Sequence, residues 1–240
     1  MKNNYLTVLN FKKSKIVRFP YILKKTDNFT GKRCRMSLDL LNESNLPFFN
    51  ISVKKWESFV ASRNIPDLGP IYYDNLRITH PEWIMRTSEK PFPLKAEKRT
   101  FHIILSSENT VEGIAALSIY KTEVFSTMNF IGLAPWNLAN KGFSPKFSGL
   151  SYELTAFSMA ICLQAAENLD DDAQIFNALF SSKRGTTFAK RFFGFEGNIT
   201  KESLNVDVNK RGVKAFLDGD LAVFRDNCSF QIFHINNVHC

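Results

Sequence analysis

Between residues 100 and 195, three short apolar runs are followed by a small-residue turn and a long helical pattern, an order that few folds accept. Residues 101–106, 111–120 and 125–134 are apolar, rich in β-favouring residues and separated by polar turns such as Glu108-Asn109, so they predict an antiparallel meander. A loop follows over 135–145, with Trp136, two asparagines and Gly142. Residues 151–168 then carry the best helical signal in the chain, because Leu150, Leu154, Phe157, Ile161 and Ala165 recur on one face. After the polar break at Asp170–Asp172, residues 173–180 predict another strand and 187–193 a short helix stopped by Gly194. The class expected is α/β in the α+β sense: a mixed, mostly antiparallel sheet flanked by helices, with N- and C-terminal elaborations.

The flanks read less sharply. Residues 5–11 and 15–23 predict extended pieces, and Pro20 confines the second to a sheet edge. Residues 37–46 predict a helix that Asn45-Leu46-Pro47 ends. Residues 52–62 predict another, with Val53, Trp56, Phe59 and Val60 at helical spacing. The stretch 63–95 holds Pro66, Pro70, Pro81, Pro91 and Pro93 and reads as irregular, too long for an ordinary connection and so a lid or insertion. At the far end, residues 213–225 and 229–235 predict a final pair of strands.

Charge is unevenly distributed. Residues 1–36 hold ten lysines or arginines against one acid, Asp27, a local charge of +9; the other 21 bases and 22 acids sum to −1. Localised positive charge attracts nucleic acid, a lipid surface or an acidic protein, whereas a solvated arm contacts nothing in particular. With 44% apolar and 22% charged residues, a disordered or fibrous chain is excluded. No apolar run long enough to span a bilayer is present, and no secretory leader is expected. Cys34, Cys162, Cys228 and Cys240 form no CxxC pair, which favours a reducing, cytoplasmic compartment. His234, His239 and Cys240 are the nearest approach to a metal set, and no metal is expected.

The segment Lys146-Phe147-Ser148-Gly149-Leu150-Ser151-Tyr152 lies between the meander and the strongest helix. Its small residues permit a turn whose N–H groups point inward, and the positive end of the helix dipole adds to them. That is how a chain cradles a pyrophosphate without a dedicated side chain. Lys146 at the entrance can supply a counter-charge.

From about residue 100 to 195 the chain resembles the GNAT acetyltransferase superfamily, whose pyrophosphate motif is Gln/Arg-x-x-Gly-x-Gly/Ala. Lys146, Gly149 and Ser151 fall on its three specified positions. Leu133-Ala134-Pro135-Trp136-Asn137 resembles the strand end of one subset of that superfamily, Leu154-Thr155-Ala156-Phe157 resembles its helix, and Gly194-Phe195 falls on its Gly-Phe ending. The resemblance implies a sheet that splays between two strands with acetyl-CoA in the opening. Its pantetheine arm would bond the backbone of 129–133, at Ile131 and Leu133, and its pyrophosphate would lie on residues 146–152. The reaction implied is direct transfer of an acetyl group to an amine acceptor, unidentified, near Asn129.

In this reading 37–99 is the acceptor side, 100–195 the acetyl-CoA-binding core of one domain spanning 1–240, and 196–240 either sheet strands or a homodimer contact. Three positions depart from the family: Lys190 replaces the general-acid tyrosine, Asn129 a glutamate base, and Lys183 an asparagine. The catalytic residues therefore stay unassigned, and coenzyme binding is better supported than transfer. Glu112 reads as a solvated strand-end carboxylate, His102 as a partly buried histidine, and Trp136 and Asn137 as residues that fix loop geometry. Lys183, Arg184, Lys190 and Arg191 either meet the coenzyme's 3′-phosphate or form a solvated helix face. Two other functions stay open: a non-catalytic module of the same fold that binds coenzyme or partner, and a basic protein that binds RNA or DNA through residues 1–36.

Overall fold

The structure, a computed structural model, describes residues 19–63, 98–120, 126–138, 144–180, 183–197, 199 and 202–234. The expected strand over 5–11, most of the 63–95 region, and His239 and Cys240 lie outside the described residues.

Strands β1 (Tyr21–Thr26) and β2 (Arg33–Leu40) form an antiparallel hairpin at one edge of the sheet, as Pro20 just before β1 predicts. In the turn, Asp27 Oδ1 accepts the N–H groups of Phe29 (2.8 Å) and Thr30 (3.2 Å). The basic N-terminal segment is therefore, from residue 19 onward, part of the sheet and not a free arm.

The helix expected over 37–46 is not formed. Met36 and Leu38 are buried in β2, and the asparagines beyond it make local side-chain bonds to the backbone instead of joining a helix. Asn42 Oδ1 accepts from Ser44 N (2.9 Å), and Asn45 Oδ1 accepts from Asn42 N (2.9 Å). Helix α1 (Leu46–Arg63) then starts where a stop was expected, because a proline in the first turn removes only an N–H that has no partner there. Its buried face, Phe49, Val53, Trp56 and Val60, packs on Ile104, Val111 and Ile114.

The meander forms as expected: β3 (Lys98–Ser106), β4 (Val111–Tyr120) and β5 (Ser126–Leu133), all antiparallel. Two bulges interrupt it. Leu105 faces Gly113 and Ser106 faces Val111, which leaves Glu112 as the extra residue of β4. Ala116 faces Phe130 and Leu117 faces Met128, which leaves Asn129 as the extra residue of β5.

After a 3-10 turn at Pro135–Asn137 and the small-residue loop, helix α2 (Leu150–Ala165) crosses back to β6 (Gln174–Phe180), which lies parallel to β5. Helix α3 (Lys183–Phe193) ends at Gly194, where φ is 81°, as its sequence predicts.

Beyond it, strand β7 (Glu202–Asn209) was not expected, although Leu204, Val206 and Val208 alternate into the core. The strand expected over 213–225 is instead two helices, α4 (Lys210–Asp218) and α5 (Leu221–Asp226). Caps decide this. Asn209 accepts from Gly212 N (2.8 Å), Asp220 accepts from Val223 N (3.1 Å), and Gly219 ends α4 in the left-handed region at φ 84°. Strand β8 (Cys228–His234) closes the order β1-β2-β3-β4-β5-β6-β7-β8, so the C-terminal region adds two strands to the sheet with two helices between them.

The fold is thus α+β, with a mixed, mostly antiparallel sheet. Helix α2 packs on one face, where its Tyr152 ring joins those of Phe192, Phe216 and Phe224 in a cluster of edge-on and tilted contacts. Lys210 Nζ donates to the carbonyls of Glu167 (2.9 Å) and Leu169, just past the C-terminus of α2. Helix α1 covers the other face, over β3 and β4. No described helix is long and apolar enough to cross a membrane.

Candidate functional site

Strands β5 and β6 touch briefly and then part. Only Thr127–Asn177 and Met128–Ala178 pair, although β5 continues to Leu133. The separation begins at the bulge, where the extra residue Asn129 increases the twist of β5 and bends it away from its neighbour. Beyond the bulge, β5 keeps its ladder to β4 while no described strand lies along its other edge.

The start of α2 comes close to the end of β5. A Cβ added at Gly113 would lie 2.9 Å from Leu133 Cδ2 and 3.1 Å from Leu154 Cδ1, so strand end and first helical turn approach closely only because residue 113 is glycine. Gly149 caps the helix with φ 77° and no side-chain hydrogen bond, which leaves the N–H groups of the first turn without the usual oxygen cap. The loop is otherwise tied down. Phe147 N donates to Asn137 Oδ1 (3.1 Å), Lys146 N to Trp136 O (2.8 Å), and Asn28 Nδ2 to Ser148 Oγ (3.0 Å) and Pro145 O (2.8 Å).

Beneath that loop lies Glu112, wholly buried and not the solvated carboxylate expected from its position. Trp136 Nε1 (2.6 Å) and Asn137 Nδ2 (2.8 Å) donate to its Oε2, and Ser107 Oγ (2.9 Å) donates to its Oε1. The bulge explains the reversal, since an extra residue re-aims its side chain out of the simple alternation. Trp136 and Asn137 fix the loop geometry as expected, with Glu112 as their anchor.

The residues expected at the cradle divide into three groups. Ser148, Gly149, Leu150 and Ser151 sit at the turn and helix start. Lys146 does not face the mouth: its Nζ lies 3.9 Å from Glu112 Oε1 and 4.0 Å from Asp27 Oδ2, and 5.0 Å from the centre of the Phe147 ring. Phe147 is buried, and Tyr152 packs on Phe192 and Phe216, with burial first and Glu153 second raising its phenol above the usual range. Ile131 and Leu133 lie on the open stretch of β5, and Asn129 is there by backbone register.

The cation at the mouth is Lys25, which sequence reasoning missed. Its Nζ forms a 2.6 Å pair with Glu153 and would lie 3.4 Å from a Cβ at residue 149. No local signal links β1 to a loop so far along the chain; only the hairpin's seat against α2 does.

His102 is buried, which holds its imidazole down at about 4. Cys162 is buried as expected, its thiol pushed up to about 12 chiefly by desolvation. No cluster of metal-ligating side chains occurs among the described residues.

No family model matches the chain, and no curated protein matches it. Among solved structures, the crystal structure of an uncharacterized protein from Bacillus halodurans superposes with a TM-score of 0.42 at 11% identity, over 86% of this chain and 97% of that one.

Proposed function

We propose that this chain is a GNAT-type N-acyltransferase that takes an acetyl group from acetyl-CoA and gives it to an amine. The observation that carries the reading is the parting of β5 from β6 after two residue pairs, with an uncapped helix N-terminus near the end of β5. The edge of β5 along which no described strand lies, including Ile131 and Leu133, offers a row of donors and acceptors that an extended amide-bearing arm can join as a strand would. The N–H groups at Ser148–Tyr152, with the helix dipole, suit a pyrophosphate, and glycine at 149 leaves room for it.

Lys25 supplies the counter-charge there. Lys146 acts at one remove, holding the buried Glu112 charge and so the loop. Acetyl-CoA would bring an activated thioester: the amine nitrogen bonds the carbonyl carbon, the carbon–sulfur bond breaks, and the proton lost by nitrogen ends on the thiolate. A backbone N–H group of β5 beyond the bulge would stabilise developing negative charge on that carbonyl oxygen.

Calorimetric titration with acetyl-CoA, alongside Gly149→Trp, tests this. Saturable binding lost in the variant supports the site, and thiol release with added amines then separates turnover from a binding-only module. Absence of binding at millimolar coenzyme would overturn it.

A second reading has its own observation. Lys24, Arg33 and Arg35 all lie exposed on the face of the β1–β2 hairpin opposite to Tyr21 and Met36, and Lys24 stands directly across from Arg35. Facing like charges are unfavourable in water and become favourable against an anion. An RNA-linked acceptor or acidic protein would dock there, with an affinity that falls steeply as salt rises.

A further inference from the structure

Strands β5 to β8 contain no lysine or arginine. On them sits one carboxylate held by two amides. Asn177 Nδ2 donates to Asp207 Oδ1 (2.8 Å), Asn205 Nδ2 donates to Asp207 Oδ2 (2.9 Å), and Asn177 Nδ2 also donates to Asn205 Oδ1, which closes a ring of three side chains. Asn177 is 7% exposed, and Asp207 and Asn205 are partly buried. No described cation pairs with Asp207, although Asp27, Asp171, Glu112 and Glu153 each have a lysine within 4.0 Å. Two amide hydrogens orient the carboxylate but leave its charge whole and about half of its acceptor sites unused.

Register places this ring. Asn177 faces Thr127 in the short parallel contact, Asp207 faces Asn177 across β7, and Asn205 faces Leu179. Ala178, Val206 and Val208 belong to the core under α2, so the ring lies on the opposite face of the sheet, at the point where β5 and β6 separate. Two apolar side chains stand exposed on strand positions of that face: Leu179 at 53%, opposite Asn205, and Phe233 at 49%, opposite Ser203.

We infer that Asp207, oriented by Asn177 and Asn205, is a binding site for the ammonium group of a small primary amine whose apolar body rests against Leu179, the diagonal neighbour of Asp207 across the β6–β7 pair. A negative charge with fixed orientation and no described cation beside it selects a cation, and the apolar rim selects against a purely polar one. The inference deepens the proposed function by giving the acceptor's chemical class: a primary amine that binds as ammonium and must release one proton to solvent before its nitrogen can attack. It rests on that reading for the reaction and not for the binding.

The test is calorimetry on the full chain with 2-phenylethylamine and its neutral isostere 2-phenylethanol, followed by acetyl-CoA on the same samples. The amine is expected to bind at least about tenfold more tightly than the alcohol. Asp207→Asn keeps the shape and removes the charge, and Leu179→Lys sets a competing ammonium on the exposed rim. Each should weaken the amine by about tenfold or more while acetyl-CoA affinity changes less than about twofold. If Asp207→Asn loses its cooperative melting transition, Leu179→Lys decides alone. Equal binding of amine and alcohol, no amine binding, or wild-type amine affinity in the folded variants would overturn the site. Amine selectivity without acetyl-CoA binding would keep the site and remove the acetyl-transfer reading, so the two failures are distinguishable.

Discussion

The two ends of the sheet are built alike and charged oppositely. At one end the β1–β2 hairpin carries Lys24, Lys25, Arg33 and Arg35; at the other, β6, β7 and β8 carry no lysine or arginine and set Asp207 in a frame of amides. The first end reaches the helix start through Lys25, on the α2 side of the sheet. The second presents its carboxylate on the opposite side, at the parting of β5 and β6. Under the proposed function, the Lys25 side would hold the anionic donor and Asp207 the cationic acceptor. Strand register decides which face a charge reaches: Lys25 and Lys24 are neighbours in sequence and point to opposite sides.

The largest effect that breaks this comparison is at its shared support. Glu112→Ala takes the buried carboxylate acceptor from Trp136, Asn137 and Ser107 and the ion-pair partner from Lys146, and should cost about 3–5 kcal/mol in urea denaturation. Glu112→Gln, which keeps acceptor geometry at one oxygen, should cost less.

Next comes a pH effect that must be separated from ligand charge. His102 is held down at about 4 against 6.5 for the free side chain, so the unfolded chain binds the extra proton in that window. Stability is full above pH 6.5 and falls as pH drops toward 4, by about 3 kcal/mol at the limit. His102→Gln should flatten that slope in melts run across the window.

Gly149→Trp sharpens the comparison by touching one end alone. It forces a bulky side chain into a left-handed position beside Lys25, and should weaken acetyl-CoA by about a hundredfold while 2-phenylethylamine affinity stays put.

The smallest effect concerns the cation. Lys25→Gln should weaken acetyl-CoA by about tenfold or less and change stability by under about 1 kcal/mol, because its pair with Glu153 is partly exposed. Calorimetry and a melt on the same sample check both halves.

Much of the middle of the chain was legible without coordinates. The meander, α2, β6 and α3 follow from short-range period, and the Gly194 stop from its conformation. The misreadings share a cause. Residues 37–46 and 213–225 carry apolar spacing that suits either structure, and side-chain bonds from Asn42, Asn45, Asn209 and Asp220 decided between strand, turn and helix. Of the candidate site, the small-residue turn could be seen in advance, whereas the roles of Lys146 and Lys25 could not, because the distance between a side chain and a distant loop leaves no trace in local pattern.

The amino-acid order by itself determined the apolar periods of β4 and α2, the glycine at 149 and the bias of positive charge toward one end. Only the tertiary structure decided that Glu112 is buried, that β5 leaves β6 at Asn129, and that Asn177, Asn205 and Asp207 meet. Each of these depends on strand register, and a single extra residue in a ladder shifts which side chains share a face; that register is chosen by packing across the whole sheet.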